Sequence, residues 1–119
     1  MKTDSSKKVV SMFKHDNASA KIVKVSDSFD LVRGGNLSEL NIAYETWGSL
    51  NKDKSNVIVI FTGLSASSHV ASSSIDQTPG WWESVVGKGK AIDTDTHYII
   101  CINTLGSCFG STSPVSINK

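Results

Sequence analysis

Residues 56–69 read NVIVIFTGLSASSH. An apolar run, Val57 to Phe61, stops at Thr62 and gives way to a loop of Gly, Ser and Ala. A second run, Ile99 to Ile102, follows His97 and Tyr98 and leads into NTLGSCFG at 103–110. Apolar character on successive residues suits central parallel strands, which are covered on both faces. The 37 residues between the runs are enough for a crossover. That crossover is rich in Ser and Gly, poor helix-interior residues. It therefore reads as a compact loop, with residues 81–86 as a short helix after Pro79-Gly80.

Upstream, FDLVRGGNLSELNIAYETWG at 29–48 reads as an antiparallel hairpin. Phe29 to Arg33 is one arm and Gly34-Gly35-Asn36 the turn, since these residues tolerate positive φ. Leu40, Ile42 and Tyr44 alternate with Asn41, Ala43 and Glu45 and form the expected apolar face. The first 26 residues are rich in Lys and Ser and read as a flexible basic leader; residues 27–119 read as the folded segment. A hairpin plus two central strands cannot cover both faces of a sheet. The α/β architecture is therefore incomplete, and the chain reads as the N-terminal part of a longer protein or one covered by partners.

Composition excludes several classes. Net charge is +1, with 39% hydrophobic and 19% charged residues, as in a globular protein. No apolar run approaches the roughly 18 residues of a membrane helix, and no secretory signal is present, which points to the cytoplasm. Residues 1–24 carry six Lys against two Asp, but without the density or interleaved aromatics of a nucleic-acid surface. Cys101 reads as a buried reduced thiol. No metal site is expected, because His69, His97, Cys101 and Cys108 match no zinc-binding spacing.

Two stretches imitate a nucleophile elbow, in which a serine or cysteine sits on a sharp strand-to-helix turn. Gly63-Leu64-Ser65-Ala66-Ser67 lacks the final glycine and any helical sequel. Gly106-Ser107-Cys108-Phe109-Gly110 is complete, but Pro114 spoils the helix that should follow. Neither Ser65 nor Cys108 is persuasive as a nucleophile. The serine-rich loops do follow the C-terminal ends of both strands, where open α/β sheets place their sites.

LNIAYETWGSLNKDKSN, TGLSASSHVA, PGWWESVVGKGKAIDTD and ICINTLGSCFGSTSPVSIN together resemble the homoserine O-acyltransferases, a family with the α/β-hydrolase fold. The resemblance covers about residues 27–118 and only the N-terminal portion of a typical member. It implies acyl transfer from acetyl-CoA or succinyl-CoA, as co-substrate rather than bound cofactor, to homoserine in methionine biosynthesis. Serine acylation, in cysteine biosynthesis, is the alternative, and a non-catalytic binding piece is the rival. The Thr62-Gly63 and Ser-Ala-Ser-Ser-His variants resemble the branch using succinyl-CoA.

The resemblance also assigns residues. Leu64 matches the residue whose backbone N–H is one oxyanion donor. Gly63, Ser65, Asn103, Gly106, Ser111 and Thr112 lie on loops lining the site, with loop hydrogen bonding as the other reading of Asn103, Ser111 and Thr112. The nucleophile, aspartate and histidine would lie beyond Lys119, so the 119 residues alone would be inactive. Small-molecule substrates are implied, with room for a homodimer at full length.

Overall fold

The computed structural model describes residues 19–116. Eight strands occur there: β1 Lys21–Ser26, β2 Phe29–Asp30, β3 Asn36–Leu37, β4 Leu40–Trp47, β5 Val57–Phe61, β6 Val86–Gly87, β7 Ile92–Asp93 and β8 Tyr98–Ile102. The main sheet has the order β1-β4-β8-β5. Its β5–β8 pair is parallel, Val57 facing Tyr98 and Phe61 facing Ile102, as the two apolar runs predict. β4 joins antiparallel to β8, Trp47 opposite Ile99 and Tyr44 opposite Ile102.

The hairpin differs from its sequence reading. Its long first arm is β1, which lies inside the expected flexible leader and pairs with β4 from Lys21↔Tyr44 to Ser26↔Leu40. A register shift between Lys24 and Ser26 is followed by the short β2–β3 pair, Phe29↔Leu37. Leu40–Trp47 thus pairs with β1, and Phe29–Arg33 is not its partner. Gly34 and Gly35 do make the turn, both at positive φ, with Gly34 N–H donating to the Leu31 carbonyl at 2.9 Å. The leader expectation fails for Lys21–Ser26; residues 1–18 lie outside the described region.

Residues 81–86 are not a helix either. One turn forms, in which Val85 and Val86 N–H groups donate to the Trp82 carbonyl, and Val86 then pairs with Ile92 in a two-residue strand. Two β-branched residues followed by Gly87 at φ 150° leave no propensity to propagate the turn. No helix occurs among the described residues.

The core lies on one face of the sheet. Trp47, Ile60, Ile99 and Cys101 pack there against Val70, Ala71 and Val86 from the crossover. Ile99, Val70 and Val86 are fully buried. Such side chains each contribute about 1.5–3 kcal/mol by leaving water. Val57, Val59 and Phe61 point to the other face and are exposed, Phe61 at 76%. On β4 the buried face departs from the expected one after Leu40. Of the expected face Leu40 is buried, but Ile42 and Tyr44 are only half-buried, and from Ala43 onward the buried residues are Ala43, Glu45 and Trp47. The crossover loop covers the side on which Glu45 sits, and its polar groups satisfy that carboxylate.

Candidate functional site

β5 and β8 run in parallel, so their following loops emerge side by side. Thr62 Oγ1 lies 3.3 Å from the Ile102 carbonyl, to which it donates, and 3.2 Å from Thr104 Oγ1. Beyond Thr62 the chain crosses an exposed span. A Cβ on Gly63 would meet nothing within 4 Å, Ser65 is exposed, and Leu64 is 92% exposed. The span ends where Ser68 and His69 turn back into the protein.

Asn103 secures that second foot. Its Oδ1 accepts the Ser68 N–H at 2.6 Å, and its Nδ2 donates to Ser68 Oγ at 3.0 Å and to the Phe109 carbonyl at 2.9 Å. Ser68 Oγ in turn donates to Glu45 Oε1 at 2.9 Å. Glu45, Ser68 and Asn103 are each about 99% buried or more. Buried polar groups cost least when each is paired, and here the bonds form a directed chain from amide to hydroxyl to carboxylate. Glu45 Oε2 also accepts from Ser19 Oγ at 2.6 Å and contacts His69 Nδ1 at 3.0 Å.

The loop after β8 is fastened to β4. Ser111 Oγ accepts the Ala43 N–H at 2.9 Å and donates to the Asn103 carbonyl at 2.7 Å. Thr112 Oγ1 accepts the Asn41 N–H, and the Thr112 N–H donates to the Asn41 carbonyl, both at 2.8 Å. Gly106 makes the intervening turn at φ +90° and donates to the Thr112 carbonyl. The side chains of Asn103, Ser111 and Thr112 are therefore engaged in holding backbone, while Gly63, Leu64 and Ser65 face outward.

Glu83 organises the rest of the crossover. Its carboxylate accepts the Gly80 N–H, the Ser72 N–H and the Ser72 hydroxyl, and it meets Lys90 at 3.3 Å. These donors, the two backbone amides foremost, hold its pKa down to about 2. Asp76 is lowered by the Thr78 hydroxyl and N–H. Burial, reinforced by the Glu45 charge, pushes the Cys101 thiol up to about 12, which makes it inert. Cys108 is exposed and free.

Among the described residues no three or more His, Cys, Asp or Glu side chains group as metal ligands, and no helix is long and apolar enough to cross a membrane. Sequence reasoning missed Glu45 as a site residue because its burial depends on partners 23 and 24 residues away, Ser68 and His69. The signal present was a carboxylate in the middle of a strand.

No protein-family model matches the chain. Curated proteins do. A serine O-succinyltransferase of Litchfieldella anticariensis is 57% identical over 88 residues, 74% of this chain and 24% of that protein. An L-serine/homoserine O-acetyltransferase of Streptomyces lavendulae is 50% identical over 97 residues, 82% of this chain and 26% of that protein. Among solved structures, homoserine O-acetyltransferase from Bacillus anthracis superposes with TM-score 0.69 at 35% identity, over 83% of this chain and 29% of that one. The L374D mutant of esterase E22 superposes with TM-score 0.72 at 36% identity, again over 83% of this chain and 29% of that one. The chain spans about a quarter of the length of the curated relatives it matches. The resemblance read from the sequence is thereby confirmed, and the mixed sheet is a fragment of the α/β-hydrolase fold.

Proposed function

We propose that this homologue of the serine and homoserine O-acyltransferases is part of an enzyme that transfers an acyl group from acyl-CoA to the hydroxyl of homoserine. The similarity to the relatives over three quarters of the chain carries this reading. The geometry agrees with it. A span held at Thr62 and Ser68 presents Gly63, Leu64 and Ser65 outward at the C-terminal ends of two parallel strands.

The reaction develops negative charge on the thioester oxygen, and a preorganised N–H at Leu64 would stabilise it. Removing one such donor typically costs about 2.7–4 kcal/mol of barrier. A serine hydroxyl gives its proton to the histidine base and attacks the acyl carbon, the C–S bond breaks, and the histidine passes that proton to the sulfur so that CoA departs as the thiol. The acceptor hydroxyl then attacks the serine ester and loses its proton to the same histidine; the bond to the serine oxygen breaks, the histidine returns the proton to that oxygen, and the O-acyl amino acid leaves. We assign that serine, histidine and orienting aspartate to the portion of the relatives' length that these 119 residues do not span. Ser65 and Cys108 are not nucleophiles in this account. The substrates are small molecules and the location is the cytoplasm.

A second reading, succinyl transfer to serine, is favoured by the name of the 57%-identical relative. Rates of CoA release and ester formation by the intact protein, with each pairing of acetyl- or succinyl-CoA and homoserine or serine, test both. One pairing is expected to dominate. Hydrolysis of simple esters with no acyl transfer to either amino acid would overturn the proposal in favour of an esterase.

A further inference from the structure

His69 is surrounded by hydrogen-bond acceptors. Its Nδ1 lies 3.0 Å from Glu45 Oε2 and its Nε2 lies 2.8 Å from the Thr78 carbonyl oxygen. The Thr78 hydroxyl is 3.2 Å from the same Nε2, but its hydrogen is directed to Asp76 Oδ1 at 2.6 Å, so it too offers a lone pair. A neutral imidazole carries one N–H and one lone pair. It would leave one of these close contacts as acceptor against acceptor. A doubly protonated ring satisfies both. Glu45 faces the ring as an acceptor as well, since the Ser19 and Ser68 hydroxyls already donate to it.

The pair is enclosed. The Glu45 side chain is 1% exposed and that of His69 12%. His69 follows Ser68 directly, and its own N–H donates to Ser67 Oγ at 3.2 Å. The Trp81 indole N–H holds the Ser67 carbonyl at 2.8 Å. The ring therefore sits at the foot of the span that carries Leu64.

We infer that His69 and Glu45 form a buried imidazolium–carboxylate pair that positions the 62–69 loop, and with it the Leu64 amide, so that loop geometry depends on pH. His69 acts here as a positioning residue, through the loop it anchors. The role of the Leu64 amide rests on the acyltransferase reading; the charge state of His69 does not.

Among the described residues, the charged and titratable groups around the ring are few. Glu45 comes from β4 and Asp76 from the crossover. Cys101 of β8 feels Glu45, and Lys21 of β1 lines the same cleft as Glu45. Burial alone lowers the His69 pKa, but the Glu45 hydrogen bond, the Thr78 carbonyl and the charges of Glu45 and Asp76 outweigh it, and the net shift is upward. A raised folded-state pKa gives stabilisation that is complete below the unfolded value, about 6.5, and disappears as pH rises through the folded value.

The test is a titration of the intact nitrogen-15-labelled protein by NMR from about pH 6 to about pH 9, a range that starts just below the usual histidine value. The His69 midpoint is expected above the ordinary histidine value of about 6.5, with both ring nitrogens protonated below that midpoint. The Leu64 and Ser65 amide signals should move with the ring's midpoint, and Glu45→Gln should lower that midpoint by about one unit or more. A midpoint at or below about 6.5, or a Leu64 amide indifferent to the ring's titration, would overturn the inference. Neither signal requires turnover, so a protein without acyltransferase activity still decides it. In an active enzyme, kcat should fall through the same midpoint at steady KM, and His69→Gln should abolish that dependence. If the variants do not fold, the wild-type titration alone decides.

Discussion

The side-chain oxygen of Asn103 accepts the backbone N–H of Ser68 at 2.6 Å, which ties the loop after β8 to the loop after β5. Both residues are buried, and the same amide reaches Ser68 Oγ and the Phe109 carbonyl. One side chain thus sets the spacing of two loops at the candidate site.

Asn103→Ala leaves the Ser68 N–H and the Phe109 carbonyl without this partner. An unsatisfied buried group costs about 1–3 kcal/mol. The substitution should destabilise the protein by about 2–4 kcal/mol, read as a lower midpoint in urea unfolding at unchanged m-value. A change within about 0.5 kcal/mol would show that the loops are held by something else.

Two glycines should behave oppositely. A Cβ on Gly80 would collide with the backbone of Val70 and Ala71, at the centre of the buried crossover. Gly80→Ala should destabilise by at least about 1–3 kcal/mol. Gly63→Ala meets open space and should leave thermal stability within about 1 kcal/mol of the parent. Parallel melting curves of the two variants make the comparison.

Glu83 predicts an acid limb. Its folded pKa, about 2, lies below the usual glutamate value of 4.5. The unfolded state therefore takes up the proton first, and the stabilisation is present above about pH 4.5 and is lost as pH falls toward about 2. Glu83→Gln should flatten the stability–pH profile in that window. An unchanged slope would show that the Gly80 and Ser72 donors do not hold the carboxylate in solution.

How much of this was legible in the sequence depended on which contacts were local. Val57–Phe61 and Tyr98–Ile102 were readable as a parallel pair because their unbroken apolar character needs no partner to be recognised. The turn at Gly34-Gly35 was readable for its backbone chemistry. β1 was not, since KIVKVS is an exposed edge strand whose lysines resemble those of a solvated leader and whose pairing is set by β4. The face of β4 was misread because alternation favoured Ile42 and Tyr44. Glu45 is buried instead because Ser68 and His69 arrive from the crossover to pair with it. The turn at 81–86 shows the same limit: its end is fixed by the pairing of Val86 with Ile92.

The bare sheet face predicts association of the 119-residue polypeptide taken alone. Val57, Val59 and Phe61 expose 37%, 46% and 76% of their surface on the edge strand β5. Light scattering should detect oligomers, and Val59→Lys with Phe61→Lys should reduce them. A monodisperse monomer of the unsubstituted polypeptide would contradict the expectation.

Acyl transfer through an enzyme ester is the central claim, and the mass of the intact protein tests it most directly. Mixed with acetyl-CoA or succinyl-CoA and no acceptor, the protein should gain the mass of one acyl group as free CoA appears, and lose it when homoserine or serine is added. A protein whose mass stays unchanged while CoA remains fully acylated, under conditions where it is folded, would contradict the account.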